Sequence, residues 1–180
     1  MGSALKRHPA LAPAGPDHWF SVDTPAGRVF VAVGEDGISM IAPARDFDAF
    51  AGAFSERVGR RLIQAEASDH PEVAAALERG EAAPELCDLG VVSPFTRRVL
   101  AAASSIERGQ TRTYQWLAAQ IGMPRAARAV GNALGANPVP IAIPCHRVVR
   151  SDGTLGGYAF GLEMKRTLLA AEGGLIYAAA

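Results

Sequence analysis

Cys145 and His146 stand side by side in Pro144-Cys145-His146-Arg147, joining a potential nucleophile to a potential base. The thiolate is the attacking species, and a free cysteine, with a pKa of about 8.5, supplies little of it at neutral pH. A neighbouring imidazole removes the proton, and a shielded setting suppresses side reactions. The preceding Asn137-Pro138-Val139-Pro140-Ile141-Ala142-Ile143 run is apolar with two prolines, suited to hold Cys145 rigidly and screen it. The other cysteine, Cys87, has no such setting and reads as a small buried hydrophobe. In a final helix predicted over 162–172, with Gly173 and Gly174 as its cap, Leu168, Leu169 and Glu172 share one sector. A carboxylate that faces a core and opposes the helix dipole needs a partner, and a histidine suits it. A Cys145–His146–Glu172 relay follows, in which Glu172 orients the imidazole and His146 takes the thiol proton, directly or through water. Read singly, Glu172 is equally a frayed helix end in solvent, and His146 a structural histidine.

These residues need a scaffold. Residues 1–16 read as a loose arm without the long apolar core of a secretory signal. Residues 18–23 and 28–41 read as strands, with a turn at Gly34-Glu35-Asp36-Gly37. Helices are predicted over 46–62 and 71–79, and 80–88 reads as an acidic connection. Ser93-Pro94 is a helix start, an N-cap with proline at the first helical position. Phe95, Val99, Ala103 and Ile106 then repeat at helical spacing until Gly109. A short helix over 113–120 and a third from Pro124 to about Gly135 form a helix-turn-helix pattern. On the third helix Ala126, Val130, Ala133 and Leu134 gather on one face, and Arg125, Arg128, Gly131, Asn132 and Gly135 on the other. Two glycines on an exposed face cost roughly 1 kcal/mol each. Close approach to another surface explains them; so does an ordinary solvated helix that tolerates them. A narrow groove of DNA, with Arg128 as the long central group, is a specific form of the first.

With 49% hydrophobic and 20% charged residues the chain supports a packed core, and it lacks an apolar stretch long enough to span a membrane. Two cysteines without a signal fit a reducing, cytoplasmic setting. The net charge of zero divides into −6 up to Val92 and +6 from Ser93 onward. A basic half carrying the cysteine points to a polyanionic partner, although solvated charge alone gives the same pattern. Cys87, His8, His18 and His70 are scattered without ligand spacing, so no metal is expected.

Ile143-Pro144-Cys145-His146-Arg147-Val148-Val149 resembles the active-site signature of the O6-alkylguanine-DNA alkyltransferases, the methylated-DNA–protein-cysteine methyltransferases. The resemblance runs from about Phe95 to Gly173. It includes the 109–114 and 126–131 segments, Gly135-Ala136-Asn137-Pro138, Gly157-Tyr158, Lys165, Leu168-Leu169 and Glu172-Gly173. It implies an α+β fold: a small sheet-and-helix domain, ribonuclease H-like, over 1–92, and a helical, winged-helix-like domain over 93–180 carrying the cysteine. It implies repair of double-stranded DNA by a monomer without cofactor or obligate protein partner. Cys145 takes the alkyl group of O6-alkylguanine in one irreversible transfer that spends the protein. Arg128 enters the base stack from the minor groove, flanked by Ala127 and Ala129, while the lesion rotates out. Tyr114 protonates or hydrogen-bonds the departing guanine, and Asn137 braces the segment leading to Cys145. Thr96, Gln115 and Ser151 match DNA-backbone contacts. Tyr158, Ala159 and the backbone of Cys145 and Val148 line the guanine pocket. Glu107 and Phe160 depart from the family pattern, and Phe160 either narrows the pocket or packs elsewhere. Two other classes compete: a lesion-binding protein without chemistry, which the presence of Cys145 disfavours, and a cysteine hydrolase, which leaves Arg128 unexplained.

Overall fold

The computed structural model describes residues 15–173. The arm up to residue 14, including His8, and Gly174 of the predicted cap lie outside them. Strands β1 (Asp17–Thr24), β2 (Gly27–Gly34) and β3 (Gly37–Pro43) form a meander, Phe20 pairing Val31 and Val22 pairing Val29. Gly27 and Gly37 adopt φ of 103° and 114°, where only glycine avoids strain, and they shape the two turns. Alternation along β2 sends Val29, Val31 and Val33 to the main core and Phe30 and Ala32 to the other face.

Helix α1 (Phe47–Arg57) covers that second face with Phe50 and Phe54, packed on Ala32 and Met40. Asp46 caps it, its carboxylate accepting from the Asp48 amide at 2.9 Å. The helix predicted over 46–62 therefore runs too long. Phe54, Val58 and Leu62 fall at helical spacing, but Gly59 leaves the helix at φ 73°. Leu62–Gln64 instead forms β4, parallel to β1, giving the sheet order β3-β2-β1-β4. Helix α2 (Pro71–Glu78) packs Val73, Ala74 and Leu77 into the main core.

Helix α3 (Pro94–Ser104) starts as expected: Ser93 Oγ accepts from the Thr96 amide at 3.1 Å. After β5 (Arg112–Thr113) comes α4 (Tyr114–Gln120), capped by Thr113, whose Oγ1 accepts from the Trp116 amide at 3.0 Å. The next helix, α5 (Ala127–Gly135), opens three residues later than predicted. Proline serves a turn as readily as a first helical turn, and residues 123–126 form one, the Ala126 amide donating to Met123 O at 2.8 Å. Arg125 consequently sits on the turn and not on the helix face. Strand β6 (Val148–Val149) pairs parallel with β5, tying the residue before Tyr114 to the segment after His146. Helix α6 (Leu162–Ala171) ends on Glu172 as its C-cap.

The two halves share one core, running from Val31 and Ile38 through Val99 and Leu117 to Ile143 and Cys145. Backbone bonds cross the joint: Ile41 donates to Pro138 O at 2.8 Å and Ala83 to Ala142 O at 2.9 Å. Within the first half, Arg60 makes an ionic link between buried Asp17 and Asp88. The sheet thus grips the segment that leads to Cys145. Among the described residues no helix is long and apolar enough to cross a membrane.

Candidate active site

Cys145 is buried at the start of a single 3-10 turn, Cys145–Arg147, at the end of the segment the sequence marks as rigid. Asn137 organises that segment. Its Oδ1 accepts from the Val139 amide at 3.0 Å, which fixes the amide orientation, and its Nδ2 donates to Ile143 O and to Cys145 Sγ, both at 3.2 Å. Ile141 is held at φ 74°, a conformation a β-branched residue avoids at a cost of about 1–3 kcal/mol. Its side chain is 1% exposed, and the neighbouring Ala142 carbonyl is held by Ala83, so burial and cross-bracing keep it there.

His146 and Glu172 meet as predicted, Nε2 to Oε1 at 2.9 Å, with the Glu172 side chain only 3% exposed. The frayed-end reading is therefore wrong. Arg147 supplies what sequence reasoning missed: it grips the same carboxylate through Nη2 at 2.8 Å and Nε at 3.0 Å, and donates to Ile106 O. Burial on its own raises the Glu172 pKa, but the hydrogen bonds and charges of His146 and Arg147 overcome it and hold it at about 2. An ionised carboxylate only accepts, so Nε2 carries the ring proton and Nδ1 keeps the lone pair. Nδ1 is buried with no hydrogen-bond partner among the described residues. Burial lowers the imidazole pKa against the pull of Glu172, which keeps the ring neutral and able to accept a proton. Burial likewise raises the Cys145 thiol, opposed by the Asn137 amide and the Lys165 charge. Such a set keeps the thiol protonated until a base acts, then holds the thiolate. Lys165, matched by the resemblance but given no role there, is a second residue whose contacts were missed. It is fully buried, its Nζ donates to Val148 O at 2.6 Å and to Leu155 O, and burial lowers its pKa to about 8.

An open cavity of about 470 Å³ gives access to Cys145, its lining including Tyr114, Arg128, Gly131, Arg150, Tyr158 and Ala159. Ala127 shares the lining, while Ala129 is exposed beside it. Tyr114 Oη lies 3.5 Å from Gly157 O, a long contact. Arg128 is exposed on α5. Val148 is fully buried and outside the lining, its carbonyl taken by Lys165. Phe160 is also absent from the lining and packs edge-on to Tyr158, with ring centroids 6.1 Å apart. Gln115 and Ser151 are exposed. Thr96 is buried in a separate groove with Arg57, Ser93 and Pro138, its hydroxyl accepting from Ser93.

His18 and His70, scattered in sequence, meet at 3.2 Å between ring nitrogens, with His70 stacked on Phe20. No group of three metal-ligating side chains occurs among the described residues. Cys87 is half-buried, and burial with the charges of Glu85 and Asp88 pushes its pKa up to about 12. A disulfide reagent at pH about 8 is therefore expected to leave Cys87 unmodified in the folded protein and to label it in urea; peptide mass mapping reads both, and labelling of the native thiol would contradict its inert setting.

This scaffold and thiol site have known counterparts. Residues 94–174 match the family model described as 6-O-methylguanine DNA methyltransferase, DNA binding domain. The methylated-DNA–protein-cysteine methyltransferase of Mycolicibacterium paratuberculosis is 55% identical over 80 residues, 44% of this chain and 48% of that protein. The human protein of the same name is 55% identical over 80 residues, 44% of this chain and 39% of that protein. The aligned segment spans about half the length of the first of these curated relatives. Solved structures extend the likeness. Mycobacterium tuberculosis OGT in complex with DNA is 32% identical with a TM-score of 0.65, covering 87% of this chain and 92% of that one. The O6-methylguanine-DNA methyltransferase of Pyrococcus kodakaraensis is 29% identical with a TM-score of 0.70, over 87% and 99%. The chain belongs to the O6-methylguanine DNA methyltransferase family.

Proposed function

We propose that this protein repairs DNA by moving the alkyl group of O6-alkylguanine irreversibly onto its own Cys145. The observation that carries the reading is the buried sulfur that accepts from Asn137 and opens on a cavity beside the exposed Arg128 helix. His146 Nδ1 takes the thiol proton, directly or through a water, and Glu172 steadies the imidazolium that results. The thiolate attacks the alkyl carbon, the sulfur–carbon bond forms, and the carbon–O6 bond breaks with its electron pair passing to guanine. Tyr114 donates a hydrogen bond or proton to that leaving group. The product is a thioether with no route back to a thiol, so each molecule acts once.

DNA binds through the face of α5, with Arg128 entering the stack from the minor groove and Ala127 and Ala129 permitting close approach. Gln115 and Ser151 contact the backbone of the duplex, and Thr96 does so only through its helix start. Tyr158, Ala159 and the backbone of Cys145 receive the flipped base. Residues 93–180 form the DNA-binding, winged-helix-like and catalytic unit. Residues 1–92 form the ribonuclease H-like unit that braces it, and the protein works as a cytoplasmic monomer without cofactor.

Incubation with duplex DNA carrying O6-methylguanine is expected to add one methyl group per protein, located on Cys145 by mass spectrometry. Cys145→Ala abolishes the gain while retaining DNA binding. Lesion binding with no mass gain would instead indicate a protein that recognises damage without chemistry.

A further inference from the structure

We propose that Arg150 is a positioning residue for the transfer, its guanidinium readying the Tyr114 phenol to release its proton and balancing the phenolate left behind, a role that rests on the alkyl-transfer reading above. Arg150 lines the cavity together with Tyr114 and Cys145. It leaves β6 into a tight turn, the Arg150 amide donating to Thr154 O at 2.9 Å and the Gly153 amide to Arg150 O at 3.1 Å. The nearby acid, Asp152, accepts from the Thr154 amide and hydroxyl through Oδ1 at 2.9 and 2.7 Å; it feels the charge of Arg150, but forms no ion pair with it among the described residues.

Gly156 shows how closely the two side chains converge. A Cβ there would stand 2.8 Å from Tyr114 Oη and 3.3 Å from Arg150 Cγ, so phenol and arginine stem flank one point. Burial raises the Tyr114 pKa, and the charge of Cys145 adds to this, while Arg150 works the other way. Arg150 is not among the leading influences on Cys145 itself, where the cation is Lys165. The phenol and the sulfur thus have different cations acting on them, Arg150 on the one and Lys165 on the other.

That asymmetry matters to the reaction. The thiolate begins with one negative charge. As the sulfur–carbon bond forms and the carbon–O6 bond breaks, the pair goes to guanine, which takes the Tyr114 proton and departs neutral. The negative charge ends on Tyr114. A cation beside the phenol lowers the cost of that displacement, and does so most where bound guanine excludes water. Arg128, the other arginine on the lining, is in this reading occupied by the base stack.

The test uses free O6-benzylguanine, which has no phosphates, and measures the rate of Cys145 alkylation in the intact protein. Arg150→Gln is expected to slow the reaction by about 10- to 50-fold, and Arg150→Lys to restore most of the loss. In a Tyr114→Phe background, Arg150→Gln is expected to cause no further loss. Equal loss with and without the phenol overturns the proposal. So does a parent rate on the free base with a defect confined to duplex DNA, which would make Arg150 a phosphate contact. A parent protein that gains no mass at Cys145 from either substrate overturns the alkyl-transfer reading instead.

Discussion

Arg128→Ala is expected to repair O6-methylguanine in duplex DNA about a hundredfold more slowly, equal to roughly 2.7 kcal/mol, while reacting with free O6-benzylguanine within about twofold of the parent. A duplex guanine reaches a buried sulfur only by leaving the stack, which costs a few kcal/mol. The α5 face proposed to meet the groove offers one long side chain, Arg128, among Ala127, Gly131 and Gly135. The fold does not itself demand those glycines. A Cβ on Gly131 would make an ordinary 3.7 Å contact with the Tyr114 ring, and one on Gly135 would meet open space. Under the proposed reading, close approach to DNA is the reason for them, and Arg128 is the group that fills the gap left by the flipped base. Free base needs no extraction, so the two substrates separate this role from pocket formation. Equal losses on both would contradict it. Salt dependence adds a second check: removing a cation that neutralises a phosphate would reduce the slope of log affinity against log salt by about 1, whereas removing an inserted side chain would not.

The sequence disclosed the contacts of the candidate site better than the architecture around it. Cys145, His146 and Glu172 were legible because a thiol, a base and a carboxylate on an apolar sector are each costly alone. Asn137 and the two prolines after it marked the rigid approach to the nucleophile. Arg147 was hidden by its place beside His146, where an arginine reads as a surface charge, and only the chain's return through α6 shows that it shares Glu172. Lys165 was hidden in the same way, since its three carbonyl partners come from residues 148–157. The errors in the first half have one cause. Helical spacing continued through Val58 to Leu62, and local pattern cannot register a strand that exists only because β1 lies beside it. The meeting of His18 and His70 across 52 residues is likewise tertiary.

Glu172→Gln is expected to lower the stability of the protein at pH 7 by about 3–5 kcal/mol and to slow alkyl transfer by about a hundredfold. Glu172 serves two buried cations or near-cations at once. Its replacement leaves the Arg147 guanidinium, whose side chain is 4% exposed, without a counter-charge, and that is the larger part of the stability loss. Glutamine still accepts from His146 Nε2, so the ring keeps its tautomer, but the imidazolium formed when Nδ1 takes the thiol proton loses its stabilising charge. The pH dependence identifies the source. Because the folded pKa of Glu172 is about 2, below the unfolded value of about 4.3, its contribution is fully present above that value and is lost as pH falls toward 2. Urea denaturation of parent and variant is therefore expected to give a gap that is constant from pH 7 to about pH 5 and narrows on further acidification. A gap that persists unchanged into acid would mean that the substitution acts through packing. A gap below about 1 kcal/mol at neutral pH would mean that the carboxylate is not the keystone of this site.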